Sequence, residues 1–198
     1  MLHKVFLSTL GVAVTLFAVA SASHAMPAKG DDGTHIVVGT LKDVDTAAKK
    51  VVVTTADGVE ETVKFTERTT VHGLEKGAKV IALTAKKGEQ VVVHYTEKGA
   101  DKTAIGIEDV GKVTAKVMEG TLVRVDKGGR YIVVKTAEGV EETMHLAERA
   151  MIDTAQGAKN AVEYTAKGGE KVTVHYTEKG GKKIAHAIEA TGHAISQQ

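Results

Sequence analysis

The sequence predicts a mostly β fold made of two small five-stranded barrels in tandem, each with one helix between strands three and four. The first observation is a repeat, because the segment 91–99 recurs 81 residues later as 172–180. Two further segments return at the same offset: 39–41 as 120–122, and 58–62 as 139–143. The second observation is that short runs rich in β-branched residues alternate with glycine turns in both copies, a pattern typical of strands.

The domain limits follow from the repeat and from the N-terminus. Lys4, the apolar run 5–20 and the small-residue site 23–25 predict a signal peptide over residues 1–25. A glycine- and aspartate-rich flexible leader is expected at 26–34. The remaining limits are repeat 1 at 35–111, repeat 2 at 112–193 and a tail at 194–198.

The strands of repeat 1 are predicted one by one. A strand at 36–44 contains Gly39, where we expect a bulge or a close backbone approach. Strands at 51–55 and 59–65 flank the hairpin turn Asp57-Gly58. In the fourth strand, alternation turns one set of side chains to the core: Val91, Val93 and Tyr95, with Val172, Val174 and Tyr176 in repeat 2. A fifth strand carries Ile105, on its core-facing side, and Ile107, and it carries Ile184 and Ile188 in repeat 2.

One segment of each repeat has a helical period. Its apolar residues in repeat 1 recur at helical spacing: Leu74, Ala78, Ile81, Ala82 and Ala85. The counterpart is predicted at 154–166, with Asp153 as N-cap and Gln156 as its partner three residues on. A strand over 80–83 is the alternative, because short apolar runs fit both structures.

The resulting order of five strands with a helix before the fourth is that of the OB-fold. With its Gly-Thr-Leu phrase at 39–41, its Asp-Gly turn and its Gly-Glu-Lys-Val-Thr-Val phrase at 169–174, the sequence resembles exported bacterial OB-like barrels. These include domains of unknown function and periplasmic copper chaperones. The resemblance implies a partner site in the groove over strands two and three, and it implies nothing specific about the partner.

Composition excludes several classes of function. Acidic and basic residues are balanced, with a net charge of +1, so the one-sided basic field of a nucleic-acid binder is absent. No cysteine is present, and Ser196 is the only serine after residue 25. Nucleophilic catalysis therefore has no candidate. The paired carboxylates Glu60-Glu61 and Glu141-Glu142 point to opposite strand faces and cannot share a substrate.

Metal binding is the remaining specific chemistry. Seven histidines follow residue 25: His35, His72, His94, His145, His175, His186 and His193. His94 and His175 occupy equivalent positions, are expected to face solvent, and would meet only if the repeats packed face to face. In repeat 2, a Cu(I) site built from Met144, His186 and Met151 is the alternative to a structural role for these residues.

These observations predict an exported, non-enzymatic binding or structural module of the cell envelope, periplasmic or secreted. Its expected partner is an extracytoplasmic protein or an envelope polymer, without nucleic acid, cofactor or a membrane span after signal cleavage. The alternative is a periplasmic protein that binds copper or zinc.

Overall fold

The computed structural model describes residues 33–128, 130–166 and 169–190. The predicted signal peptide, nearly all of the leader and the C-terminal tail lie outside the described residues. What is described is built from strands arranged in two sheets, with short 3₁₀ helices between them.

The first sheet contains six strands: β1 (Thr34–Asp45), β2 (Lys50–Thr54), β3 (Glu60–Lys64), β4 (Thr70–His72), β5 (Gln90–Lys98) and β6 (Asp101–Gly111). Their order is β3-β2-β1-β5-β6-β4. A parallel pairing of Lys64 in β3 with Thr103 in β6 closes five of them into a barrel, as the OB-like topology requires.

The second sheet also contains six strands: β7 (Lys116–Asp126), β8 (Tyr131–Lys135), β9 (Glu141–Thr154), β10 (Gly157–Asn160), β11 (Glu170–Lys179) and β12 (Lys182–Ala190). This sheet closes in the same way as the first, because β9 pairs with both β8 and β12. The long strand β9 takes the places that β3 and β4 fill in the first sheet. The prediction of a mostly β, barrel-forming chain is confirmed.

Each barrel encloses its own apolar core. Side chains that alternate along the strands fill the first core, among them Val91, Val93 and Tyr95 of β5. Val172, Val174 and Tyr176 of β11 fill the equivalent places in the second. These six residues are at most 7% exposed, and burying a valine side chain fully contributes roughly 1.5–3 kcal/mol. The predicted core face of the fourth strand is therefore confirmed.

The predicted helices differ from the structure. In the first sheet the helix is a 3₁₀ helix over Val80–Lys86, which starts later than the apolar spacing from Leu74 indicated. Leu74 and Ala78 still pack against the core, although they precede the helix.

The helix predicted at 154–166 is wrong. Thr154 Oγ1 accepts a hydrogen bond from the Gln156 backbone N–H at 3.1 Å and donates one to the Gly157 carbonyl at 3.0 Å. Gly157 has a φ of 90°, which favours glycine and breaks a helix. The chain therefore reverses, and β10 pairs back onto β9. Only Ala161–Glu163 is a 3₁₀ turn, and Asn160 rather than Asp153 caps it.

The two sheets pack against each other through the outer face of β1 and β5. Ile36, Val38, Val92 and Ala187 form a buried cluster, and Met151 and Ala158 of the second sheet pack against it. At the edge of this contact, His35 Nδ1 lies 3.5 Å from Asp153 Oδ2. Strands β1 and β5 are thus covered on both faces.

Gly39 lies at a close backbone approach, one of the two situations expected from the sequence. A Cβ at this position would lie 2.3 Å from the Thr54 carbonyl oxygen.

We predict that Gly39→Ala lowers the free energy of unfolding by about 1–3 kcal/mol, because the strands must separate to admit the methyl group. Urea unfolding measures the change. Gly128→Ala is the matched control, since its Cβ would meet only the Asp126 carboxylate oxygen at 3.8 Å, and equal losses in both variants would refute the explanation.

Candidate functional site: a cleft between the two sheets

A cleft of about 430 Å³ opens where the first sheet meets the second. Strands β4, β5 and β6 form one wall, and β9 and β10 form the other. The lining residues are Thr70, His72, His94, Ile105, Gly106, Glu148, Arg149, Met151 and Asn160. The groove expected over strands two and three is a different surface.

The floor of the cleft is a row of three residues on neighbouring strands. Gly106 of β6 pairs with Thr70 of β4 on one side and with His94 of β5 on the other. A Cβ on Gly106 would lie 3.2 Å from Thr70 Oγ1 and 4.0 Å from His94 Cδ2. The missing side chain at Gly106 therefore leaves the space above the floor open.

A β-bulge places Ile105 in the cleft. The register between β5 and β6 shifts between His94 and Tyr95, so that Ile105 has no direct partner across the ladder. Such an extra residue re-aims the side chain. Ile105 is 45% exposed and lines the cleft, whereas alternation along the strand predicted that it belongs to the core.

His94 is the most unusual residue of the cleft. Its side chain is only 7% exposed, and neither ring nitrogen has a hydrogen-bond partner among the described residues. Burial, together with the nearby charge of Arg149, lowers the pKa of His94 to about 4. The imidazole is therefore neutral at pH 7, with one N–H donor and one lone pair unused.

The remaining polar groups of the cleft differ in their free hydrogen-bonding capacity. His72 Nε2 lies 3.0 Å from Thr70 Oγ1, which in turn donates to the Ile105 carbonyl at 3.2 Å. Asn160 Oδ1 accepts from the Val162 backbone N–H at 3.1 Å, and its amide NH₂ has no acceptor among the described residues. Arg149 makes no hydrogen bond or ion pair within the described part of the chain.

The solvent-facing orientation predicted for His94 and His175 is wrong. His94 is buried at the contact between the sheets, and the side chain of His175 is 14% exposed, with Nε2 donating to Glu189 Oε1 at 3.0 Å. His175 lines a second cavity of about 300 Å³ beside Gly39 and Thr54. The sheets do pack together, but the two histidines line different cavities.

The residues of the predicted Cu(I) site are not brought together as a set. Met144 is fully buried in the second core. The His186 ring is held by a 2.9 Å hydrogen bond between its Nε2 and Thr177 Oγ1, and burial lowers the pKa of His186 to about 4. Met151 lines the cleft with His94 instead. No cluster of three or more histidine, aspartate or glutamate side chains suited to a metal occurs among the described residues.

Three of the paired glutamates form ion pairs with lysines on other strands of their own sheet. Glu60 pairs with Lys42, Lys102 Nζ lies 2.6 Å from Glu61, and Lys183 Nζ lies 2.8 Å from Glu142. These contacts link strands and converge on no cavity.

No pattern in the sequence indicated that a cleft would contain Arg149, Thr70 and Asn160. Arg149 lies in an ordinary Ala-Glu-Arg-Ala run, and Asn160 was assigned to the interior of a helix. Their convergence depends on how the two sheets pack, which the sequence pattern of either repeat alone does not encode.

No protein-family model matches the chain, and no curated protein matches it. Among solved structures, silver(I)-bound CusF aligns with 38% of this chain and 96% of its own, at 16% identity and a TM-score of 0.30. Apo-CusF from Escherichia coli aligns with 42% of this chain and 95% of its own, at 11% identity and a TM-score of 0.32. The resemblance predicted from the sequence is confirmed as a distant and partial one, and no property of CusF is transferred on this basis.

No helix among the described residues combines the length and the apolar character that a membrane span requires.

The two buried neutral histidines make stability depend on pH. Between their ordinary pKa of 6.5 and about 4, His94 and His186 take up protons only in the unfolded chain. The free energy of unfolding should therefore fall as pH is lowered through this window, by up to about 1.4 kcal/mol per pH unit for each histidine. Urea unfolding at successive pH values measures the slope. His94→Leu should remove the contribution of one histidine to this slope, and an unchanged slope would contradict the assignment.

A buried imidazole without partners should destabilise the folded chain. We predict that His94→Leu raises the free energy of unfolding at pH 7 by about 1 kcal/mol, because an unpaired buried polar group costs about 1–3 kcal/mol. The equivalent change His175→Leu breaks the bond to Glu189 and should lower it by about 0.5–1.5 kcal/mol. Thermal or urea unfolding of both variants tests the contrast, and a loss of stability in His94→Leu would overturn it.

Proposed function

We propose that this chain is an exported, non-enzymatic binding protein whose ligand site is the cleft between the two sheets. The observation that carries this proposal is His94, a buried histidine with two unpartnered ring nitrogens at the floor of an open cleft. Both ring nitrogens are covered, although the His94 ring borders the cleft. A polar group that costs stability beside an open cleft is better explained by a ligand than by folding, since local rules are broken mainly at functional sites.

The form of the cleft supports a small molecule as the ligand. Its volume of about 430 Å³ lies in the range of roughly 300–1,000 Å³ that small-molecule sites occupy. Ile105 and Met151 supply the apolar part of its lining, which is otherwise mostly polar, and apolar surface with convergent polar groups is found at such sites. The cleft thus favours a small ligand over the protein or envelope polymer that the sequence led us to expect.

Export is proposed from the N-terminal segment 1–25, with its basic start, apolar run and small-residue cleavage site. The absence of cysteine from the whole sequence suits an oxidising compartment outside the cytoplasm, where free thiols are a liability. We therefore place the protein in the periplasm or among secreted proteins.

A metal site in the same cleft is the second candidate. His72 and His94 are imidazoles whose pKa values are lowered, chiefly by burial, and Met151 adds a thioether. Neutral imidazole and thioether are ligands that Cu(I) accepts. The Arg149 guanidinium on the opposite wall works against any cation, so this candidate ranks second.

The test is native mass spectrometry of residues 26–198 after incubation with a small-molecule extract of the producing cells and, separately, with Cu(I). We expect an added small-molecule mass on the wild type, and its loss in Ile105→Phe, where a larger side chain fills the cleft. Val123→Phe is the matched control, because Val123 is also exposed and does not line the cleft.

Retention of the same mass by Ile105→Phe would contradict the proposed site. A stoichiometric Cu(I) adduct that is lost in Ile105→Phe, with no organic ligand, would establish the second candidate in place of the first. A bare mass under all conditions would refute both.

A further inference from the structure

We propose that the ligand of the cleft is a small organic carboxylate: its anionic group binds Arg149 and the Asn160 amide, and its short apolar body lies against Ile105 and Met151. This inference rests on the proposed function, because it names the ligand class of the same site.

The hydrogen-bonding capacity of the cleft is biased toward donors. Arg149 carries five N–H donors without an acceptor within the described part of the chain, and the Asn160 NH₂ also has no acceptor there, while its oxygen is already used. The N–H and the lone pair of the His94 ring are also unpartnered among the described residues, although both nitrogens are covered. Thr70 Oγ1 and His72 Nε2 are occupied with each other and with the Ile105 carbonyl, whereas His72 Nδ1 and the Glu148 carboxylate remain as acceptors in the lining. A ligand that matches this set must bring acceptors, and a carboxylate offers about four acceptor sites on two oxygens.

The charges near the floor also favour an anion. Besides burial, the charge of Arg149 lowers the pKa of His94. It also lowers the pKa of His72, and this effect is larger than the opposite effect of Glu148. Glu148 and Arg149 both line the cleft, and both are exposed. Glu108 pairs with His72 across the ladder, does not line the cleft and is partly buried, and burial raises the pKa of its carboxyl group. A guanidinium binds a carboxylate through two parallel hydrogen bonds, which makes Arg149 the natural anchor.

The shape of the cleft favours an organic acid over an inorganic anion. Ile105 and Met151 supply apolar surface on opposite walls, and Gly106 leaves the floor open between them. A phosphate or sulfate ion would fill only a fraction of about 430 Å³ and would leave this apolar surface in water. A carboxylate with a chain of several carbons covers it, and each methylene buried contributes up to about fourfold in affinity.

The probes are four compounds that separate these contributions: hexanoate, hexan-1-ol, hexylamine and inorganic phosphate. Each is titrated into residues 26–198 at pH 7, and binding is followed by calorimetry and by the NMR signals of the His94 ring and the Met151 methyl group. We expect hexanoate to bind at least about tenfold more tightly than the alcohol or the amine, since a hydrogen bond to a charged group is lost in each. Butanoate should bind more weakly than hexanoate.

The variants assign the anchor. Arg149→Gln should weaken hexanoate binding at least about tenfold and leave the weak binding of hexanol unchanged. Arg68→Gln is the matched control, because Arg68 is the equivalent residue 81 positions earlier and does not line the cleft. Glu148→Gln should leave hexanoate affinity unchanged or raise it, because it removes a negative charge from the rim.

Several results would overturn the inference. Equal binding of hexanol, tighter binding of hexylamine or phosphate, or weaker hexanoate binding in Glu148→Gln would refute the carboxylate class, while shifts at His94 and Met151 would still support the cleft as a binding site. If no probe shifts these signals but the cell extract yields a cleft-dependent mass, the carboxylate class is refuted and the proposed function stands. If neither experiment finds a ligand, both proposals fail.

Discussion

The contact between the outer face of β1 and β5 and the second sheet is the constraint on which the site depends. Ile36, Val38 and Val92 face away from the first core, yet they are at most 7% exposed because Ala187 and Met151 cover them. Without this contact the first wall of the cleft would be an ordinary strand surface, and His94 would be hydrated. The packing of the two barrels therefore buries a strand position that would otherwise face solvent.

The two repeats use equivalent positions differently, and the difference is visible in their residues. The second sheet has Val117, Glu119 and Thr173 where the first has Ile36, Val38 and Val92. The second set is not buried, and Val117 is 43% exposed. The outer face of β7 and β11 is thus not covered as that of β1 and β5 is. The histidines follow the same asymmetry: His175 keeps a carboxylate partner in Glu189, whereas His94 has none among the described residues.

The barrels could be predicted from the sequence because alternation, glycine turns and the 81-residue repeat act over short distances. The continuous apolar run Val91-Val92-Val93 held a further signal, since a strand buried on both faces loses its alternation. The helix at 154–166 could not be excluded by its apolar spacing, because the turn at Gly157 depends on a single backbone conformation. The cleft lay beyond prediction, since Arg149 and His94 are 55 positions apart and belong to different sheets.

The most direct test of this account is a methyl NOE experiment on residues 26–198 with labelled methionine, isoleucine and valine methyl groups. The sequence contains 5 methionines, so the Met151 signal can be assigned by single substitution. If the sheets pack as described, the Met151 methyl group gives NOE cross-peaks to methyl groups of Ile36, Val38 or Val92. Cross-peaks from Met151 only to residues of its own sheet would show that the two sheets do not pack in this way, and the cleft with its buried histidine would not exist.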